Sequence, residues 1–249
     1  MSEPYKHVRP GANPLTGFPK HVLELLDRLH GESKKQEESM DFTNFGALTD
    51  EEKSTYVRDK FVALDKDKAQ YVYALARALD ARNIVEAGTS FGVSTIYLAY
   101  AASQNAAVGG KPARVIATEH EPTKAAKARE YWKQCGDITD VIDLREGDLR
   151  ETLKTGVDQV DFLLLDSKYL EPNELEQAVN AVPVWTPMVM PTIKLVQPKL
   201  RRGAVIVTDN TLTSKGYDEY IEYVRNKDNG FVNITVPYTN GLEMSIYLP

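Results

Sequence analysis

The sequence IVEAGTSFGVST, at residues 84–95, indicates an α/β fold. It leads from an apolar pair through Glu86 into a glycine turn, and residues 93–103 then carry a pattern typical of a helix. A strand, a glycine loop and a helix N-terminus in this order form a small-ligand cradle in α/β sheets. The first N–H groups of such a helix favour negatively charged groups, and Gly88 and Gly92 let the backbone approach a ligand closely.

The spacing of this loop narrows the choice of ligand. The pattern is E-x-G-x-x-x-G, which lacks the G-x-G pair of a dinucleotide site. The next predicted strand, residues 114–118, ends at Glu119, whose carboxylate can accept hydrogen bonds from both ribose hydroxyls of a nucleoside. S-adenosylmethionine, an adenosine compound with a carboxylate tail, has a shape that suits both strand ends. A generic turn followed by a solvated acid explains these two features equally well.

The composition indicates one α/β unit with an extension. The chain has 249 residues, of which 42% are hydrophobic and 27% charged, so a packed core is expected. A net charge of −6 argues against a nucleic-acid surface, and no apolar run approaches the roughly 18 residues of a membrane span. Cys135 is the only cysteine and no signal-peptide pattern is present, so a reducing, cytoplasmic location is expected.

Residues 1–60 are predicted to form an N-terminal arm and a helical extension. Pro19 opens an apolar stripe that predicts a helix ending at Gly31, and residues 31–39 are interpreted as a polar linker. Thr49 and Glu52 have the spacing of a capping box. These helices are interpreted as simple cover of the sheet, with an acceptor-site lid or a dimer contact as alternatives. The helical N-terminal third also predicts a homodimer.

Residues 61–249 are predicted to form one domain in which strands and helices alternate. Strands are predicted at 114–118, 141–146, 160–165, 204–208, 231–236 and 242–247, and helices at 67–79, 93–103, 122–135, 187–199 and 215–227. Nearly continuous apolar strands predict a parallel sheet covered on both faces. The segment YTNG at 238–241 predicts a terminal hairpin, which makes one strand antiparallel.

Polar residues follow the predicted parallel strands, at the sheet edge where ligands bind in α/β proteins. They are Glu86, Glu119, Asp148, Asp166, Asp209 and Asn210. Each one alone is explained as a helix cap or turn residue, but the series favours a ligand site. The last three supply only oxygen ligands, which suits a hard cation such as Mg²⁺.

Five short segments together resemble a known family. They are VEAGTSFGVS at 85–94, ATE at 117–119, REGD at 145–148, LLD at 164–166 and TDN at 208–210. They resemble the class I S-adenosylmethionine-dependent methyltransferases, and among these the cation-dependent O-methyltransferases of the catechol and caffeoyl-CoA type. The resemblance implies a Rossmann-like, doubly wound sheet of seven strands, mostly parallel with a reversed C-terminal strand.

The resemblance also implies the activity and the site residues. It implies transfer of a methyl group to an oxygen of a catechol- or phenol-like acceptor, assisted by Mg²⁺ or another divalent cation. The metal would be bound by Asp166, Asp209 and Asn210. The residues implied for the cofactor S-adenosylmethionine are Glu86, Gly88, Thr89, Ser90, Gly92, Ser94, Glu119, His120, Asp148 and Asp166.

The sequence departs from the family pattern after Asp166. In the family a tryptophan, often with a catalytic lysine, follows almost at once, whereas here Trp185 comes after an insert at 167–184. The usual lysine position corresponds to Thr186, so Lys168 is the candidate general base beside Asp166. The insert is interpreted as an acceptor-binding flap, with inert surface or translated non-coding sequence as alternatives.

Rival functions remain open at this point. One is a metal-independent N- or O-methyltransferase of small molecules, because a fold does not decide between acceptors. Another is a subunit that binds S-adenosylmethionine without catalysis. An NAD-dependent oxidoreductase ranks third, because the second glycine of the dinucleotide loop is absent.

Overall fold

Seven strands pair into one sheet in the computed structural model, which describes residues 14–41, 47–49, 52, 55–56, 58, 60–166, 188–212 and 215–249. The strands are β1 (Asn83–Ala87), β2 (Arg114–Glu119), β3 (Ile142–Glu146), β4 (Val160–Leu165), β5 (Leu200–Asp209), β6 (Phe231–Val236) and β7 (Leu242–Tyr247). Their order is β3-β2-β1-β4-β5-β7-β6. Strands β1 to β5 pair in parallel, and β7 is antiparallel to both of its neighbours. The predicted sheet with a reversed C-terminal strand is confirmed.

Helices cover both faces of this sheet. They are α1 (Lys20–Glu38), α2 (Lys66–Ala78), α3 (Val93–Gly109), α4 (Pro122–Trp132), α5 (Leu149–Thr152), α6 (Val189–Val196) and α7 (Asp218–Arg225). Short 3-10 turns follow or precede them at Lys133–Thr139, Gln197–Lys199, Lys215–Tyr217 and Lys227–Asn229. Among the helices of the described ranges, none has the length and apolar character needed to cross a membrane.

The sheet separates two apolar cores because successive strand residues point to opposite faces. Ile84, Phe162, Leu164, Val205 and Val207 pack on the face that carries α1 to α4. Val85, Leu163, Leu165, Ala204 and Ile206 pack on the face that carries α6 and α7. This alternation fixes the face of every polar residue that ends a strand.

Helix α1 is longer than the sequence pattern predicted. The polar linker expected at residues 31–39 is wrong, because α1 continues to Glu38. Ser33 explains the error: it is buried, its hydroxyl donates to the carbonyl of Phe61 at 3.1 Å, and it accepts from the amide of Ala63 at 3.0 Å. Polar side chains in this half of α1 therefore bind the segment that leads into α2.

The apolar stripe of α1 packs into the same core as α3. At its edge His30 lies 3.0 Å from the hydroxyl of the buried Tyr97, measured from Nε2. Burial lowers the pKa of His30 to about 4, and the nearby Lys66 ammonium adds to the shift. The imidazole is therefore neutral near pH 7 in the folded protein.

Some of the other predicted helix and strand boundaries match the structure, and others differ. The strands predicted at 231–236 and 242–247 match the structure, and the helix predicted at 67–79 is α2. The helix predicted at 122–135 ends earlier, at Trp132. The capping box is confirmed: the Thr49 amide donates to Glu52 at 2.7 Å, and the Glu52 amide donates to Thr49 Oγ1 at 3.3 Å. The N-terminal arm before residue 14 lies outside the described residues.

Candidate active site

Four of the predicted strand-end acids share one face of the sheet. Glu86 alternates with Val85 on β1, so it points to the same side as Ile84 and lies beneath α3. By the same alternation Glu119, Asp166 and Asp209 belong to the face that carries α1 to α4. Four of the five acids predicted from the sequence are therefore brought to one edge and one face.

The Glu86 carboxylate is enclosed by hydroxyl groups. Ser94 donates to one carboxylate oxygen at 2.6 Å, and Thr89 and Thr95 donate to the other at 2.9 and 2.5 Å. Burial raises the pKa of Glu86, and the three hydroxyl donors oppose that shift. Glu86 thus fixes the glycine loop to the first turn of α3, so three of the predicted cofactor residues form one hydrogen-bonded unit.

Two glycines give the loop its path. Gly88 has φ +96°, and a Cβ there would lie 2.3 Å from the backbone oxygen of Asp166. Gly92 has φ +78°, and a Cβ there would lie 2.6 Å from the indole nitrogen of Trp132. That indole donates to the Gly92 carbonyl at 2.9 Å. Only glycine satisfies both the backbone angle and the close packing at these positions.

Glu119 ends β2 beside this loop. Its carboxylate accepts from the amides of Ser90 at 2.7 Å and Glu121 at 2.8 Å. Burial raises its pKa, and the Glu121 amide and the Lys124 ammonium oppose the shift. Because each carboxylate oxygen has two lone pairs, both oxygens retain capacity for a ribose hydroxyl.

The loop also carries polar groups that await a partner. The hydroxyl oxygen of Ser90 is buried and makes no hydrogen bond within the described part of the chain. No described side chain caps the N-terminus of α3 at Gly92. A buried hydroxyl and an uncapped helix N-terminus beside a carboxylate fit a ligand with polar and anionic groups. These residues therefore fit S-adenosylmethionine.

His120 and Asp148 lie farther from the buried centre. His120 is exposed, and Asp148 is half-buried at the N-terminus of α5, where it accepts from the Arg150 amide at 2.8 Å. The Arg150 guanidinium and that amide lower the pKa of Asp148 to about 2. Asp148 is thus a helix cap in this structure, and its role beside an adenine stays a prediction.

Asp209 is held by a cation from a distant helix. The ammonium of Lys68, on the first turn of α2, lies 2.7 Å from Asp209 Oδ1 and 3.0 Å from Asp65 Oδ2. Lys68 is 1% exposed and Asp209 is 3% exposed, so this is a buried ion pair. Burial tends to lower the pKa of Lys68, but Asp209 and Asp65 outweigh it and raise the value, so the ammonium stays charged.

The donors predicted for a metal occupy neighbouring strand ends. Leu165 of β4 pairs with Thr208 of β5, and each is followed by a predicted ligand, Asp166 or Asp209. Asn210 has φ +60° and donates its side-chain amide to Asp209 Oδ2 at 3.1 Å. Oxygens of Asp166, of Asp209 on its Oδ2 side and of the Asn210 amide fit a hard cation, since these are the ligands Mg²⁺ accepts.

The described ranges hold only part of the predicted metal and base residues. No group of three His, Cys, Asp or Glu residues that could hold a metal occurs within the described ranges. The set predicted from the sequence has only two such residues, so the Mg²⁺ prediction stays a prediction. Lys168, the insert at 167–184 and Trp185 lie outside the described residues.

Sequence reasoning missed three contributors to the site. Thr95, which donates to Glu86, was interpreted only as a helix residue, and Trp132, which donates to the Gly92 carbonyl, was not singled out. Lys68 was passed over because α2 looked like simple cover. Its position four residues before Val72 places it on the buried stripe of α2, and a lysine on such a stripe signals a buried acidic partner.

The sequence has identifiable relatives. Residues 85–211 match a protein family described as a methyltransferase domain. A catechol O-methyltransferase from Mycobacterium tuberculosis is 30% identical over 156 residues, which cover 62% of this chain and 60% of that protein. The matched region spans about three fifths of the length of the curated relatives.

Solved structures share the fold. A methyltransferase from Geobacter sulfurreducens has a TM-score of 0.60 at 18% identity and covers 97% of this chain and 93% of its own. An SAH-bound methyltransferase from Podospora anserina has a TM-score of 0.63 at 14% identity, with 93% and 88% covered. At these identities the likeness concerns the fold alone.

Proposed function

The chain belongs to the family of methyltransferase domains, and on that premise we propose that it moves a methyl group from S-adenosylmethionine to an oxygen of a small acceptor. The observation that carries this proposal is the pair of buried carboxylates, Glu86 and Glu119, on either side of a glycine loop. The catechol O-methyltransferases among the curated relatives support an acceptor of the catechol or phenol class.

In this proposal the two carboxylates have different tasks. Glu119 accepts hydrogen bonds from the ribose hydroxyls on the lone pairs that the Ser90 and Glu121 amides leave free. Glu86 holds the loop against α3, which directs the first N–H groups of α3 toward the carboxylate tail of the cofactor. Together they would hold the two ends of the cofactor, which supplies the methyl group.

The acceptor then lies beside Asp166, Asp209 and Asn210. In-line methyl transfer requires the acceptor oxygen close to the methyl carbon, so positioning supplies much of the rate. A divalent cation bound by these residues would orient the acceptor oxygen and stabilise its deprotonated form. We retain Lys168 as the proposed general base, with the acceptor proton leaving to its amine. A homodimer and a cytoplasmic location stay predictions.

The test is a panel of catechols, phenols and amines with labelled S-adenosylmethionine, run with Mg²⁺ and again with EDTA. We expect label on the oxygen of a catechol in the presence of Mg²⁺. Label on amines alone would favour the N-methyltransferase alternative. Tight S-adenosylhomocysteine binding without turnover of any acceptor would favour the catalytically silent subunit.

Cofactor choice is tested separately by calorimetry. We expect S-adenosylhomocysteine to bind and NAD to give no heat. Tight NAD binding together with no response to S-adenosylhomocysteine would contradict the proposal.

A further inference from the structure

The ammonium of Lys68 lies in the proposed acceptor site. The proposed reaction assigns no role to a side chain from α2. It is buried at 1% exposure and lies 2.7 Å from the carboxylate that ends β5. Its second partner, Asp65, has a half-exposed side chain and is three residues away on the same turn. The buried counter-charge of Lys68 is therefore Asp209.

The surroundings of α2 keep this ammonium in place. Tyr71, one turn farther along α2, donates its hydroxyl to the Met244 sulfur at 3.4 Å, and its ring lies 5.7 Å from that of Tyr238. Met244 in turn pairs with Val207 on β5. The start of α2 is thus anchored over the strand ends rather than free to move away.

Lys68 and a divalent cation would share one carboxylate. Lys68 takes Asp209 Oδ1, and the Asn210 amide donates to Oδ2, so a cation would bind the remaining lone pairs on the Oδ2 side. Asp166 follows the neighbouring strand β4. The two acids carry two negative charges, and Lys68 offsets one of them. Like charges a few ångströms apart in a buried site repel strongly, because little water screens them.

We propose that Lys68 is a resident cation of the acceptor site, which competes with divalent cations for Asp209 and keeps their affinity low. The inference rests on the proposed function only in assuming a cation site at these residues. It assigns Lys68 a positioning role: the residue compensates Asp209 when no metal is present and makes metal binding readily reversible.

The experiment measures the affinity of Mg²⁺ alone by calorimetry, for the wild-type protein and for Lys68→Gln. The glutamine removes the charge but keeps a hydrogen-bond donor for Asp209. We expect Mg²⁺ to bind at least about tenfold more tightly to the variant, since one repelling charge is removed. Lys68→Arg keeps the charge and should keep the weak affinity.

Lys66→Met is the matched control, because Lys66 lies on the same turn but pairs with the exposed Asp27 at 2.6 Å. Its Mg²⁺ affinity should stay within about twofold of the wild-type value, since its charge is screened by solvent. Equal or weaker Mg²⁺ binding by Lys68→Gln, or no Mg²⁺ binding by either protein, would overturn the proposal.

Two further measurements on the same samples keep the result interpretable. The Tm is recorded with and without Mg²⁺, and Mg²⁺ should raise the Tm more in Lys68→Gln than in the wild type. This measurement replaces calorimetry if the variant is too unstable for it. An equal or smaller Mg²⁺-induced rise would count against the proposal. S-adenosylhomocysteine affinity should be unchanged in all variants. If the wild-type protein does not bind S-adenosylhomocysteine, that result would count against the proposed function rather than against the role of Lys68.

Discussion

The cofactor side and the acceptor side of the site hold their buried carboxylates in opposite ways. Glu86 and Glu119 bind neutral donors that lie within the loop, the first turn of α3 or the residues just after β2. Asp209 binds an ammonium supplied by α2, a helix that precedes the whole sheet. One side is therefore built from hydrogen bonds among the strand ends and the segments that follow them, and the other from an ion pair with a helix that precedes the sheet.

The difference has a physical consequence. The neutral donors bind the cofactor-side carboxylates without a direct ion pair, and the carboxylate of Glu119 keeps lone pairs for donors such as ribose hydroxyls. The ion pair neutralises much of Asp209, and its stability depends on both partners being present, because a buried charge without its partner is costly. Mutations on the cofactor side should therefore weaken cofactor binding, and mutations of the ion pair on the acceptor side should destabilise the fold.

Asp209→Ala should show the largest effect. It leaves the Lys68 ammonium without its buried partner and should cost about 4 kcal/mol of unfolding free energy. Methyl transfer should be abolished, whereas S-adenosylhomocysteine binding should persist in the folded fraction. Urea unfolding and calorimetry measure both quantities. Lys68→Met combined with Asp209→Ala should recover stability but not turnover, and turnover that survives Asp209→Ala and EDTA would remove the cation from the mechanism.

Gly88→Ala tests the point where the two sides touch. The new methyl group would lie 2.3 Å from the Asp166 backbone oxygen at φ +96°, so strain of about 3 kcal/mol is expected. Both cofactor affinity and Tm should fall. Gly110→Ala is the control, because Gly110 also has positive φ but has open space around it. If both variants lose the same stability, the close packing of β1 on β4 is not the cause.

Glu119→Ala should act on binding more than on folding. We expect S-adenosylhomocysteine to bind about 2 kcal/mol more weakly, because the ribose hydroxyls lose their acceptor. Glu121→Ala keeps the backbone amide that holds Glu119 and should change the affinity little. Unaltered affinity in Glu119→Ala would place the ribose elsewhere.

His30 should produce the smallest effect and a distinct pH dependence. Its folded pKa of about 4 is below the unfolded value of about 6.5, so its contribution to stability is complete above pH 6.5 and is lost as the pH falls toward 4. Partial exposure limits the loss to about 1 kcal/mol between pH 6.5 and 5. His30→Phe should flatten the pH dependence of urea unfolding in that window, whereas the exposed His21→Gln should not.

The two sides also differ in how well the sequence predicted them. Glu86, Gly88 and Glu119 stand at the ends of predicted parallel strands, so the strand pattern was enough to place them at one edge of the sheet, although Ser90 lies 29 residues before Glu119. The partners of Asp209 and Tyr97 come from α2 and α1, and no local pattern specifies which distant helix packs on which strand end. The linker predicted at 31–39 failed for the same reason, since Ser33 binds Phe61 and Ala63.

Because Ser33 binds the segment that leads into α2, the amide hydrogen of Ala63 in that segment reports on the packing of α1. The Ala63 amide donates to Ser33 at 3.0 Å, and the Phe61 ring lies 4.6 Å from Phe91 in the glycine loop. Exchange of the Ala63 hydrogen with deuterated solvent therefore requires α1 to separate from this segment. Its protection factor measures the free energy with which α1 packs beside the loop. Slower exchange in the presence of S-adenosylhomocysteine would show that cofactor binding at the loop stabilises the packing of α1.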